Sequence, residues 1–159
     1  MLKLSKKADY GLIALKHLAA ASNGGSCSAK EIADAYGIPS PLLAKILQKL
    51  TRAGLLRSLA GTNGGYRLAR PPASISALEV IRTIDGPIIL TACFTAHGQC
   101  DQSVKCSVRE PLRKVHEGIL KLLDSITISE MSKTDEPEPR AAHECSSALG
   151  EPAGTLHVL

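Results

Sequence analysis

Three cysteines stand close together in the second half of the 159-residue chain, at Cys93, Cys100 and Cys106. Six residues separate the first two, five separate the last two, and the residues between them are mostly small, polar or Gly. Such a stretch favours a loop, and a loop can bend until its sulfurs face one point. Thiolate sulfur is a soft donor, so three converging thiolates suit a soft metal ion or an iron–sulfur cluster.

The N-terminal residues and the apolar runs of the chain bear on its compartment. The first seven residues lead into no apolar h-region or cleavage site, and no apolar run approaches the roughly 20 residues that a membrane span requires. We therefore expect a cytoplasmic protein with no membrane partner. In a reducing compartment five cysteines are more readily ligands or reactive thiols than disulfides.

Charge is distributed unevenly along the chain. Residues 1–90 carry twelve Lys and Arg against five Asp and Glu, whereas residues 91–159 carry seven against ten. The resulting surplus of +7 in the first part indicates a polyanionic partner for that part. Charge alone does not distinguish DNA from RNA or from an anionic membrane.

Hydrophobic periodicity and stop signals predict three helices in the basic part, over residues 5–21, 28–36 and 41–53. Ser28 and Glu31 form a predicted capping box, Gly37 ends the second helix, and Ser40 is the predicted N-cap of the third. Two short helices joined by a Gly-containing turn form a helix-turn-helix, whose second helix enters the major groove by its N-terminal end.

Two alternating segments, residues 55–59 and 66–69, follow the third helix and flank a Gly-rich stretch with Asn63 and Gly64. This pattern predicts a β-hairpin with positive φ at its tip, and a hairpin directly after a helix-turn-helix is a winged-helix arrangement. The predicted DNA-contacting residues on the second helix and the wing are Ser40, Lys45, Lys49, Arg52, Arg57, Asn63, Gly64 and Arg67. Neither a P-loop nor a Cys–His–acid pattern is present, so we do not predict an enzyme.

Further helices are predicted on both sides of the cysteine segment. A capping pattern at Ser76 and Glu79 predicts a short helix before the segment. The same pattern at Ser107 and Glu110 predicts the longest helix, to about residue 123, and at Thr127 and Glu130 it predicts one more short turn. The long helix carries an apolar stripe that a second copy of the chain could cover. We therefore predict a mainly α fold with a small hairpin wing, organised as a winged helix-turn-helix (residues 1–72), a cysteine loop with a dimerisation helix (73–131) and a disordered tail (132–159).

Several motifs together resemble a known family. They are Leu4-Ser5-Lys6-Lys7-Ala8-Asp9-Tyr10, Glu31-Ile32-Ala33, Gly37-Ile38, Gly64-Gly65-Tyr66-Arg67-Leu68 and the three spaced cysteines. The chain is similar over residues 1–131 to the bacterial winged-helix repressors that include the iron–sulfur cluster assembly regulators and the nitric-oxide-sensitive repressors. Gly86-Pro87-Ile88, Leu90-Thr91-Ala92-Cys93 and Ile126-Thr127-Ile128-Ser129-Glu130-Met131 look most like the regulators of the SUF cluster-assembly system.

The resemblance implies a homodimer that binds a palindromic double-stranded operator and represses cluster-assembly genes. Each subunit would hold one [2Fe-2S] or [4Fe-4S] cluster through Cys93, Cys100 and Cys106. Where some members have a ligating His this chain has Arg109, so the resemblance favours Asp9, supplied by the partner subunit, as the fourth ligand over His97 or a small molecule.

The residues leave a second function open. The same DNA-binding domain could be controlled by zinc binding or by oxidation of the three thiols, without iron, because soft donors at this spacing serve all three chemistries. In that case the cysteine segment would still be the sensor, and only its ligand would differ.

Overall fold

The computed structural model describes residues 3–21, 25–62, 64–95 and 100–133. Within these ranges none of the helices has the length and apolar character that a membrane span requires. The elements, in chain order, are α1 (Lys6–Ala20), α2 (Ala29–Tyr36), α3 (Ser40–Arg52), β1 (Leu56–Leu59), β2 (Gly65–Leu68), α4 (Ala77–Asp85), α5 (Arg109–Ser125) and α6 (Ile128–Lys133), with short 3-10 turns at Pro72–Ser74 and Ala92–Phe94. The prediction of a mainly α fold with a hairpin wing is confirmed. The predicted disordered tail, residues 132–159, is wrong at its start, because Ser132 and Lys133 belong to α6. The rest of the tail, from residue 134 onward, lies outside the described residues.

Helices α1 and α2 begin at side-chain caps, and the cap of α2 is the one that the sequence predicts. The hydroxyl of Ser5 accepts the amide of Ala8 at the start of α1. At α2 the capping box is complete, because the Ser28 hydroxyl accepts the Glu31 amide at 3.1 Å and the Glu31 carboxylate accepts the Ser28 amide at 2.6 Å. The left-handed conformation of Gly37 (φ 62°) then ends α2 and turns the chain into α3.

The predicted N-cap of α3 is wrong. Pro39 occupies the cap position, no side chain caps this helix, and Ser40 is its first helical residue. The carbonyl of Pro39 already accepts the amides of Leu42 and Leu43, each at 3.0 Å. Because the chain turns one residue earlier than the sequence suggests, the Ser40 hydroxyl has no cap position to fill and is available on the N-terminal turn of α3.

Helix α1 lies at the centre of the fold and packs against α3, α4 and α6. The core that they share is aliphatic, as the scarcity of aromatic residues predicts, and its fully buried members include Leu15, Ile32, Leu43, Leu47, Leu50, Val80, Ile81 and Ile128. This core continues through α4 and α6, so both helices are packed together with the winged helix. Gly11 permits the closest approach, because a Cβ there would lie 2.2 Å from Cδ1 of Ile84.

The wing is a two-stranded antiparallel hairpin, β1–β2. Beside it, Cys27 and Tyr66 exchange two backbone hydrogen bonds, at 3.1 and 2.8 Å, which tie the wing to the segment before α2. A Cβ at Gly65 would lie 2.6 Å from the Cys27 carbonyl oxygen. Positive φ falls on Gly61 (114°), and Asn63 lies outside the described residues. Gly65 is therefore required by close backbone approach.

The caps after the wing follow the sequence only in part. Ser76 accepts the Glu79 amide at 3.2 Å as predicted, and Thr127 and Glu130 form the expected box at α6. The predicted cap at Ser107 is wrong, since α5 begins at Arg109 after Val108 and has no side-chain cap. Val108 already has φ −103° and ψ −5°, and a side-chain cap requires an extended residue at that position.

Candidate functional site

The exposed side of α3 carries three of the predicted DNA-contacting cations. Lys45, Lys49 and Arg52 are all exposed, while the opposite side of the helix is buried through residues such as Leu43 and Leu47. Their spacing of four and then three residues places them along one face of the helix. This arrangement is suited to a duplex groove lined by phosphates.

Lys49 has a partner inside the molecule. Its ammonium donates to the main-chain carbonyl of Ile84 at 2.9 Å, in a partly buried contact 35 residues away in sequence. Ile84 lies in the last turn of α4, where carbonyls lack helical partners, so a cation there satisfies an orphan acceptor and interacts favourably with the helix dipole. Of the three cations, Lys49 therefore joins the exposed face of α3 to the last turn of α4.

The wing presents two arginines side by side. Strand register pairs Arg57 directly with Arg67, whereas the neighbouring pair Leu56 and Leu68 lies on the opposite, inner face. Arg57 is exposed, Arg67 is half-buried, and among the described residues neither forms an ion pair. Like charges directly opposite each other on a hairpin repel, so this pair has the electrostatic character of an anion-binding surface.

The three cysteines occur in a segment between α4 and α5. Cys93 lies in the 3-10 turn Ala92–Phe94. Cys100 precedes a run of turns over residues 101–105, and Cys106 follows it. All three cysteines are half-buried, and none is in a disulfide. Asp9 is exposed in the first turn of α1, and His97 lies outside the described residues. Within the described ranges, no three His, Cys, Asp or Glu side chains are gathered into a group that could hold a metal ion.

His116, on α5, is a candidate site residue that the sequence reasoning missed. Its ring stacks on Phe94, next to Cys93, with ring centroids 5.2 Å apart and an interplanar angle of 30°. Its Nδ1 is buried and has no hydrogen-bond partner among the described residues. The available signal was its spacing. His116 lies four residues after Leu112 and three before Ile119, and all three are half-buried on α5.

The C-terminal turn of α4 connects the cysteine segment to α1 and α3. The Asp85 carboxylate accepts the Ser5 amide at 3.1 Å and the Ser5 hydroxyl at 2.5 Å, so it holds the N-terminus of α1. The neighbouring Ile84 carbonyl accepts Lys49 from α3. Directly afterwards the chain turns at Gly86 and proceeds to Cys93. One end of α4 therefore contacts both α1 and α3 where the cysteine segment departs.

Helix α5 has one apolar line that the described residues leave exposed. Val115 and Leu122 on the helix and Val108 at its cap position are 52%, 62% and 56% exposed, and a spacing of seven residues aligns them. A period of seven is typical of seams between paired helices. On the same helix Arg113 donates to the carboxylates of Glu110 and Glu117, and its hydrogen bond lowers the pKa of Glu110.

Comparison with known proteins places these features in a family context. Residues 4–134 match the Rrf2 family, which is described as an iron-dependent transcriptional regulator. The structure of CymR (YrzC), the global cysteine regulator of B. subtilis, is 30% identical with a TM-score of 0.69, over 83% of this chain and 97% of that one. T. potens IscR is 35% identical with a TM-score of 0.65, over 85% and 89%. The oxidized form of Staphylococcus aureus CymR is 27% identical with a TM-score of 0.66, over 84% and 98%.

Proposed function

Because the chain belongs to the Rrf2 family of transcriptional regulators, we propose that it is a cytoplasmic repressor of cluster-assembly genes, controlled by an iron–sulfur cluster on Cys93, Cys100 and Cys106. The observation that carries this proposal is the position of the cysteine segment. It holds three half-buried thiols outside any disulfide, and it departs from α4 where that helix contacts both α1 and α3. A change in this segment would therefore act directly on α1 and on α3, the helix proposed to read DNA.

The chemistry of the donor set fits an iron–sulfur cluster. Three thiols supply soft ligands, and the unpartnered Nδ1 of His116, stacked on the neighbour of Cys93, supplies a polar atom in need of a partner. Metal binding gathers ligands that are separate in the apo chain, since binding free energy offsets the cost of ordering them. When bound, the cluster supplies a centre sensitive to oxidation that holds the segment in one conformation.

We propose Asp9 as the fourth ligand, supplied across the dimer by the partner subunit. Asp9 is exposed in the first turn of α1, so its carboxylate is accessible to a second copy of the chain. A carboxylate is a harder ligand than a thiolate, which leaves the iron it binds easier to release. A centre with one weakly held iron responds readily to its surroundings, as a sensor requires.

The DNA interface in this proposal combines α3 with the wing. Ser40, Lys45, Lys49 and Arg52 would face the major groove, and the wing would contact the adjacent phosphates through Arg57, Asn63, Gly64 and Arg67. A homodimer would place two such surfaces on a palindromic operator. The exposed apolar line of α5 supports that assembly, because its seven-residue spacing suits a seam between two copies of the helix.

A thiol- or zinc-based switch without iron is the second candidate. One observation favours it: the solved relatives include a cysteine regulator and an oxidized form of such a protein. In this case Cys93, Cys100 and Cys106 would respond by forming a disulfide or by binding zinc. The DNA-binding surface and the α4 connection would serve the same purpose.

Purification without oxygen distinguishes these candidates. The cluster proposal expects a brown protein with visible absorption and matching iron and sulfide, all of which are lost in Cys106→Ala. A colourless protein with stoichiometric zinc supports the zinc switch, and a metal-free protein that forms a disulfide among the three cysteines supports thiol sensing. Operator affinity measured with and without the ligand then shows which form represses.

A further inference from the structure

The hydroxyl of Thr91 lies against the sulfur of Cys93. The distance from Thr91 Oγ1 to Cys93 Sγ is 2.9 Å, which is within hydrogen-bond range, and either atom could be the donor as long as the sulfur carries its proton. Both groups are half-buried, so solvent competes only in part for this contact. Among the described residues, this is the one hydrogen bond formed by the side chain of a predicted cluster ligand.

The local backbone explains why this hydroxyl is available. Thr91 occupies the N-cap position of the 3-10 turn Ala92–Phe94, where a threonine side chain ordinarily accepts an amide of the first turn. Here the Phe94 amide donates to the main-chain carbonyl of Thr91 instead, at 3.1 Å, and no side-chain cap forms. The hydroxyl is thereby free to turn towards the sulfur of Cys93, two residues along.

A second threonine in the same turn has a different environment. The hydroxyl of Thr95 donates to the main-chain carbonyl of Ala92 at 2.9 Å. Thr91 and Thr95 flank Cys93 on the two sides of one turn, yet only the first has its hydroxyl on the sulfur. The chain thus contains a matched control for any effect of removing a hydroxyl from this segment.

We propose that Thr91 sets the reduction potential of the cluster through a hydrogen bond to the sulfur of Cys93. This inference rests on the proposed cluster. A sulfur bound to iron is a thiolate without a proton, so Thr91 must then be the donor and the sulfur the acceptor. Reduction adds one electron to the cluster and increases negative charge on the ligand sulfurs, which strengthens an O–H donor contact. The hydrogen bond therefore favours the reduced state, and hydrogen bonds to ligand sulfurs are established determinants of cluster potential.

Thr91→Val tests this inference because valine preserves the shape and removes the hydroxyl. Anaerobic protein holding its cluster would be titrated with a chemical reductant in the presence of redox mediators and followed by visible absorption. At a fixed potential we expect about a tenfold lower ratio of reduced to oxidised cluster than in the wild type, which for one electron is a shift of about 59 mV to more negative potential. Thr91→Ser, which keeps a donor, and Thr95→Val should remain near the wild-type value.

Iron and sulfide content, measured on every variant, separates failure of this inference from failure of the cluster proposal. Wild-type protein without iron overturns the cluster and this inference with it. A retained cluster with unshifted potential in Thr91→Val, or an equal shift in Thr95→Val, overturns the role of Thr91 alone. If Thr91→Val does not retain its cluster, loss in Thr91→Ala together with retention in Thr91→Ser and Thr95→Val supports the hydrogen bond from the Thr91 hydroxyl to the ligand sulfur, on which the shift in potential depends. Loss in Thr95→Val as well contradicts it.

Discussion

Removing one arginine from the wing should have opposite effects on folding and on DNA binding. Arg57 and Arg67 are directly paired in the hairpin register, so their guanidinium groups repel each other in the free protein. In Arg57→Gln this repulsion is absent, and the free energy of unfolding should rise. The relief is about 0.5 kcal/mol, within the range of about 0.2–1 kcal/mol for cross-strand pairs and below its upper end, because Arg57 is exposed and solvent screens the pair.

The same substitution should weaken operator binding and make it less sensitive to salt. Each phosphate contact contributes about 0.9 to the slope of the logarithm of affinity against the logarithm of salt concentration. In the proposed dimer two contacts are lost, so the slope should fall by about 1.8. Between 50 and 200 mM salt the variant should then lose about tenfold less affinity than the wild type does.

Fluorescence anisotropy on an operator duplex at several salt concentrations measures the slope, and urea unfolding of the free protein measures stability. Lys121→Gln is the matched control, since it removes one positive charge from an exposed position on α5, away from the wing. We expect Lys121→Gln to leave the slope unchanged. An unchanged slope in Arg57→Gln, or an equal change in the control, would refute the assignment of the wing to phosphate contact.

Three further predictions concern the wing, the dimer and acid stability. Gly65→Ala should lower the free energy of unfolding by about 1–3 kcal/mol in urea denaturation, because its Cβ would lie 2.6 Å from the Cys27 carbonyl; an unchanged midpoint would contradict the close approach. Leu122→Glu should convert a dimer into a monomer by light scattering, since it places charge on the exposed line of α5; an unaltered mass would exclude this seam. Hydrogen bonds from the amide and then the hydroxyl of Thr127 lower the pKa of Glu130 from its ordinary value. The contribution of this carboxylate to stability is therefore complete above the unfolded pKa and is lost as pH falls through the folded pKa. Stability of Glu130→Gln should therefore vary less with pH below about 5 than that of the wild type, and equal acid profiles would contradict this.

Features that depend on neighbours in sequence were predictable. The capping boxes at Ser28 and Thr127 join groups three residues apart, so their pattern is visible in the sequence and both form as expected. The same pattern at Ser107 fails, because the turns before α5 bring Val108 to the cap position in a nearly helical conformation. A cap preference of about 1 kcal/mol does not outweigh the path that the preceding chain imposes.

Features that depend on distant contacts were not predictable. Gly65 is identifiable in sequence as part of a turn, but its steric requirement comes from Cys27, 38 positions earlier. Lys49 looks like any exposed cation of a recognition helix until its partner, the carbonyl of Ile84, is known. His116 has helical spacing that matches the apolar stripe, yet its importance depends on the ring of Phe94. In each case the deciding partner belongs to another element.

The hydrogen bonds at the end of α4 contribute enough free energy to couple the cysteine segment to α1 and α3. A hydrogen bond to a charged group contributes roughly 1.5–3 kcal/mol when shielded and less where water reaches it, and the Lys49 contact is only partly buried. Coupling between sites in regulatory proteins is typically about 1–3 kcal/mol. If the cysteine segment moved the last turn of α4, losing this contact would free the ammonium of Lys49 on the recognition face and loosen α1 through Asp85. One small displacement would then alter both the charge presented by α3 and the hold on α1, so the proposed sensor would need no larger rearrangement.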